Sequence, residues 1–187
     1  MVSVFDFMSN ITFIIGGTRS GKSAFAMKLA KKQKRVCYIA TADSGQSLQI
    51  DDDEMLERIQ KHRKNRPADW ETVEAPLELD KAVSNLNGTF DVVLIDCITL
   101  YVTNILLGGS KEAGDEYIID AINKLCIVCK KIPSHVIIVS NEVGYGIVPD
   151  NVLSRRFRDI AGYANQIIAK GADNVYLVTA GIETKIK

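Results

Sequence analysis

The sequence predicts an α/β fold: a doubly wound, mostly parallel sheet with helices on both faces. Three observations carry this reading. Five short β-branched runs recur at residues 11–15, 36–41, 92–97, 136–141 and 175–180. Each is apolar nearly throughout, as strands covered on both faces require. Helical stretches separate the runs, and a glycine-rich turn sits directly behind the first of them.

The first run leads into Gly16, Gly17, Thr18, Arg19, Ser20, Gly21, Lys22 and Ser23. This fits G-x-x-x-x-G-K-S/T, the pattern of a loop that wraps nucleotide phosphates. Small residues let backbone N–H groups converge on an anion, and the helix expected at 22–32 adds its positive dipole end there. Lys22 reaches toward the β/γ-phosphates in such a loop, and the Ser23 hydroxyl takes a place on Mg²⁺. The architecture is therefore expected to be P-loop NTPase-like, and the chain to bind a nucleoside triphosphate.

Helices are expected at 52–64 and 77–85 after the second strand, and at 115–131 after the third. A helix at 152–170 follows the fourth, opened by Pro149 and Asp150 and closed by Gly171. Residues 183–187 form a possible antiparallel C-terminal edge strand, returning from a turn at Gly181. Residues 108–114 are the most loop-like segment. The organisation expected is an N-terminal extension at 1–10 and a single P-loop nucleotide-binding catalytic domain at 11–187.

The 187 residues allow one well-filled core and are short for two domains. Lys plus Arg and Asp plus Glu number 23 each, so no global field favours nucleic acid or an anionic membrane. No apolar run approaches the roughly 20 residues that span a bilayer, and residues 1–10 do not read as a signal peptide. No membrane insertion is expected, and a cytoplasmic location is. Cys126 and Cys129 form a C-x-x-C that admits zinc or redox chemistry, but no second pair exists. On a helix they share a face, and a buried structural role is expected, as for Cys37 and Cys97.

Asp96 ends the third run, where a carboxylate faces the phosphate loop as a second Mg²⁺ ligand or caps the next turn. His135 reads as a surface residue at a strand entry. His62 has five basic residues within four positions: Arg58, Lys61, Arg63, Lys64 and Arg66. An imidazole so framed is a competent nucleophile toward phosphorus, its neighbours gripping the triphosphate and disfavouring imidazolium. A solvated basic helix end explains the same run. Asp51, Asp52, Asp53 and Glu54 fit helix capping better than a metal site. Residues 141–149, Asn-Glu-Val-Gly-Tyr-Gly-Ile-Val-Pro, form an exposed turn suited to a substrate. Arg155, Arg156, Arg158 and Asp159 fit ion pairing and function equally.

Taken together, the phosphate loop, Tyr38-Ile39-Ala40-Thr41, Arg58-Ile59-Gln60, His62, Arg66-Pro67, the turn at 141–149 and Phe157-Arg158-Asp159-Ile160-Ala161-Gly162 resemble a known family. It is that of the bifunctional adenosylcobinamide kinase/adenosylcobinamide-phosphate guanylyltransferases, and the likeness runs from about residue 11 to residue 187. The resemblance implies phosphorylation of adenosylcobinamide, then transfer of GMP from GTP to that phosphate through a GMP-histidine intermediate. His62 matches the family's nucleophile. Family GTP contacts fall on residues 16–23, on Ala40, Thr41 and Ala42, on Arg63, Lys64, Asn65 and Arg66, and on Glu74 and Asp96. ATP and GTP as substrates, Mg²⁺ on Ser23 and Asp96, and a homotrimer are implied as well. Some relatives carry two adjacent histidines where this chain has Lys61 and His62, and the segment 42–50 is longer here. A kinase without guanylyl transfer and a nucleotide-dependent assembly protein are the alternative readings.

Overall fold

A computed structural model of the chain describes residues 10–42, 63–64, 66–86, 88–108 and 114–187. Seven strands form one sheet: β1 (Ile11–Gly16), β2 (Val36–Ala40), β3 (Glu71–Glu74), β4 (Val92–Asp96), β5 (His135–Asn141), β6 (Asn174–Thr179) and β7 (Ile182–Lys185). Their order is β3-β2-β4-β5-β1-β6-β7. Every pairing is parallel except β6 with β7, the antiparallel edge hairpin expected from the turn at Gly181.

Five helices are described: α1 (Lys22–Ala30), α2 (Leu79–Asn85), α3 (Ile98–Gly108), α4 (Asp115–Lys131) and α5 (Val152–Gly171). Alternation along each strand sends side chains to two cores. Phe13, Ile95 and Ile138 share one core with Leu79 of α2, Val102 of α3, Ile122 of α4, and Ile160 and Ile168 of α5. Ala164 is buried in the same core, and its small side chain lets α5 pack closely. Ile14, Leu94 and Val139 face the other way, onto Phe25, Ala26 and Ala30 of α1 and onto Trp70. Helices thus cover both faces, as the continuous apolar runs require. Ile14 and Ile138 are fully buried, each contributing about 1.5–3 kcal/mol by leaving water.

Helix ends follow local chemistry. Asn151 caps α5, its side chain accepting from the Ser154 N–H at 2.7 Å. Asp115 and Glu116 open α4 and Lys130 and Lys131 close it, complementing the dipole.

Two elements go beyond the sequence reading. β3 is a polar edge strand with only Val73 half-buried, so it shows no burial pattern. α3 starts two residues after Asp96, within one apolar stretch that contains no turn signal. The helix expected at 52–64 is described only at residues 63 and 64, and the acidic cluster at 51–54 lies outside the described residues. His135 corrects the sequence reading. It is half-buried, its Nε2 lies 2.9 Å from the Thr12 hydroxyl on β1, and burial lowers its pKa. All four cysteines are free thiols; burial pushes Cys37 up to about 12 and Cys129 upward as well. No helix among the described residues is long and apolar enough to cross a membrane.

Candidate active site

The glycine turn leaves β1 at Gly16, whose strand partners are Asn141 of β5 and Val178 of β6. A Cβ on Gly16 would stand 2.4 Å from the Val178 carbonyl oxygen and 2.6 Å from Ser20 Oγ, so only glycine fits. Gly21 takes φ 99° and ends the turn. The Ser20 N–H donates to Gly17 O at 3.2 Å, and the Gly181 N–H donates to Ser20 O at 2.8 Å. The β6–β7 hairpin thereby braces the loop from behind.

Gly21 offers no side-chain cap to α1, which leaves the first N–H groups of that helix for an anion. Lys22 is only 8% exposed and donates from Nζ to Gly17 O at 3.1 Å. Burial lowers its pKa, against the opposing influence of Cys97 and of the Asp96 carboxylate. Ser20 Oγ is buried with no hydrogen-bond partner among the described residues. Ser23 lies half-buried in the first turn of α1.

Three strands place further candidates at one level. Ala40 at the end of β2 is paired with Glu74 on one side and with Asp96 on the other. Arg63 pairs with Glu74. Arg66 stacks on the Tyr38 ring, its guanidinium carbon 3.8 Å from the ring centre. Tyr38 donates its hydroxyl to Asp96 Oδ2 at 2.8 Å. Burial first, then the Asp96 charge, hold the Tyr38 phenol well above its usual pKa, so it remains a donor.

Thr41 is fully buried and locks the start of the next segment. Its hydroxyl donates to Cys97 O and accepts from the Cys97 N–H, both at 2.7 Å. Asn104 of α3 donates to Thr41 O at 2.7 Å and to Pro76 O at 3.0 Å. Asn141 donates to Thr99 Oγ1 at 2.7 Å, and Asn165 of α5 donates to Asn141 O at 3.1 Å.

The structure therefore gathers Ala40, Thr41, Arg63, Arg66, Glu74 and Asp96 at the carboxyl ends of β2, β3 and β4. Lys64 is exposed beside Arg63, and Ala42 follows Thr41. His62 and Asn65 lie outside the described residues. Sequence reasoning missed Tyr38, Thr99 and Asn104 as parts of this site. Tyr38 had a usable signal, because it shares strand parity with Ala40. Arg156 pairs with Asp115 at 2.6 Å and Arg158 with its neighbour Asp159 at 3.2 Å.

Comparison with known proteins identifies the family. The family described as cobinamide kinase / cobinamide phosphate guanyltransferase matches residues 12–186. The bifunctional adenosylcobalamin biosynthesis protein CobU of Salmonella typhimurium is 45% identical over 183 residues, covering 93% of this chain and 98% of its own. Its counterpart in Escherichia coli is 44% identical with the same coverage. The bifunctional adenosylcobalamin biosynthesis protein CobP of Pseudomonas aeruginosa is 40% identical over 176 residues, covering 93% of this chain and 95% of its own.

Proposed function

This chain belongs to the cobinamide kinase / cobinamide phosphate guanyltransferase family, and from that premise we propose that it performs both reactions in cobalamin biosynthesis. It phosphorylates adenosylcobinamide, then transfers GMP from GTP to the phosphate just made. The observation that carries this is the convergence of a braced phosphate loop, a buried Lys22 and the Ala40–Glu74–Asp96 shelf.

Residues 16–23 bind the triphosphate of ATP or GTP, with Lys22 on the β/γ oxygens. Ser20 Oγ and Arg66 Nε, both buried and unpartnered among the described residues, support phosphate contacts. Ala40, Thr41, Ala42, Arg63, Lys64, Asn65, Arg66 and Glu74 complete the nucleotide site. A hydroxyl and a carboxylate are hard oxygen donors, so Ser23 and Asp96 suit Mg²⁺, which supplies charge neutralisation on the phosphates when bound. In the second reaction His62 attacks the α-phosphorus of GTP and pyrophosphate leaves. The phosphate of the corrinoid then takes GMP from the imidazole, dividing one difficult transfer into two easier ones.

The test is incubation with α-labelled GTP. An acid-labile protein adduct that His62→Ala abolishes is expected, and its absence from the wild-type protein overturns the relay. Association as a homotrimer is part of the same reading. It rests on the family resemblance of the sequence. Light scattering of the purified protein checks it, and a monomer rejects it.

A further inference from the structure

In the kinase reaction the acceptor hydroxyl loses a proton as its oxygen bonds to phosphorus, and a positioned carboxylate is suited to receive it. Asp96 is engaged elsewhere: its Oδ2 accepts from Tyr38, and it is assigned above to Mg²⁺. Glu74, on the same rim, is paired with Arg63; a further carboxylate there among the described residues is Glu142, the first residue beyond β5.

Its location follows from the sheet. β5 lies between β4 and β1, so its carboxyl end opens between Asp96 and the phosphate loop. Asn141 is paired with Gly16, and the Glu142 N–H donates to Gly16 O at 3.0 Å. The backbone of Glu142 is thus fastened to the first residue of the phosphate loop. Its side chain is also placed: Oε1 accepts from the Gly144 N–H at 2.7 Å. Among the described residues no cation pairs with it.

Gly144 makes that placement possible. A Cβ there would meet Glu142 Oε1 at 2.8 Å, and the atom it meets is the free end of a flexible side chain. Alanine would therefore move the carboxylate and leave the backbone in place. Tyr145 in the turn and Ile147 just after it are 87% and 96% exposed, giving a bulky acceptor a surface beside this carboxylate.

We propose that Glu142 accepts the proton of the adenosylcobinamide hydroxyl during γ-phosphoryl transfer, with Gly144 as the positioning residue that seats it. The inference rests on the kinase reading above. The hydroxyl O–H bond breaks and its proton passes to the carboxylate, while the oxygen forms a bond to the γ-phosphorus. The bond from that phosphorus to the bridging oxygen breaks, and the nucleoside diphosphate leaves with the electron pair. Guanylyl transfer differs, because its acceptor is a phosphate oxygen that is already anionic and has no such proton to give up.

The two reactions are assayed separately on the purified full chain. One assay supplies adenosylcobinamide and nucleoside triphosphate; the other supplies adenosylcobinamide phosphate and GTP. Glu142→Gln is expected to slow the first about 100-fold or more and to leave the second within about twofold. Gly144→Ala is expected to slow the first about 10-fold with the second retained, and it decides the matter if Glu142→Gln does not fold. Kinase rates within about threefold of wild type, or equal losses in both reactions, overturn the inference. A wild-type protein that transfers GMP to supplied phosphate but phosphorylates nothing overturns the kinase reading itself, and this inference with it.

Discussion

The Tyr38 hydroxyl donates to the Asp96 carboxylate at 2.8 Å, and the Arg66 guanidinium covers a face of the same ring. One aromatic side chain thus joins a candidate metal carboxylate to a candidate phosphate-binding cation. Tyr38→Phe removes only the hydroxyl and keeps the ring under Arg66. We expect folding stability to fall by about 0.5–1.5 kcal/mol, the net worth of one such hydrogen bond. Nucleotide affinity in the presence of Mg²⁺ should weaken about 3- to 10-fold, since Asp96 loses an orienting donor. Calorimetric titration with and without Mg²⁺ checks this, and equal affinities for the two proteins would reject the coupling.

Two adjacent glycines should behave oppositely. At Gly16 an added methyl meets the Val178 carbonyl, which is backbone and cannot yield, whereas at Gly17 it meets nothing within 4 Å. Gly16→Ala is expected to destabilise the protein by about 2 kcal/mol or more, and Gly17→Ala by less than about 1 kcal/mol. Thermal unfolding of both variants without nucleotide is the measurement. Similar melting temperatures for the pair would show that the turn relaxes more freely than its contacts suggest.

How much of this was legible beforehand depends on what kind of contact was involved. The strands of the sheet's interior were readable because burial on both faces leaves a continuous apolar run, as at Val136 to Val139. The phosphate loop was readable because its spacing is set by the chain itself. β3 escaped because Glu71, Thr72 and Glu74 are exposed, and an edge strand of that kind has no burial period to detect. The Tyr38–Asp96 and Asn104–Thr41 bonds span 58 and 63 residues. They depend on which strands and helices become neighbours, and no local pattern encodes that choice.

Asn104 tests whether that long-range polar network supports the site. It is 6% exposed, and its amide nitrogen serves two carbonyls, Thr41 O and Pro76 O, on the segments that leave β2 and β3. Asn104→Leu leaves both acceptors without this donor inside the fold. A loss of about 2–4 kcal/mol is expected, measured by denaturant unfolding. Nucleotide binding should weaken in the same variant, because Thr41 and Ala42 lose their anchor. Unchanged stability would mean that water replaces the amide at no cost.

His135 gives a prediction in pH. Burial holds its imidazole below the ordinary value of 6.5, only partly opposed by Asp173, so the folded protein resists protonation at this position. The unfolded chain then binds the proton more readily. The stability linked to His135 is complete above about pH 6.5 and is lost as the pH falls through that value toward the lower folded pKa. His135→Gln keeps a polar side chain near the Thr12 hydroxyl and removes the titration. Between about pH 7.5 and 5.5 the wild-type melting temperature should fall more steeply than that of the variant, by at most about 1.4 kcal/mol per pH unit in stability. The comparison of slopes matters rather than the absolute stabilities, since losing the contact to Thr12 shifts the whole curve of the variant. Parallel slopes would mean that the imidazole between β5 and β1 reaches solvent in the folded protein as freely as it does in the unfolded chain.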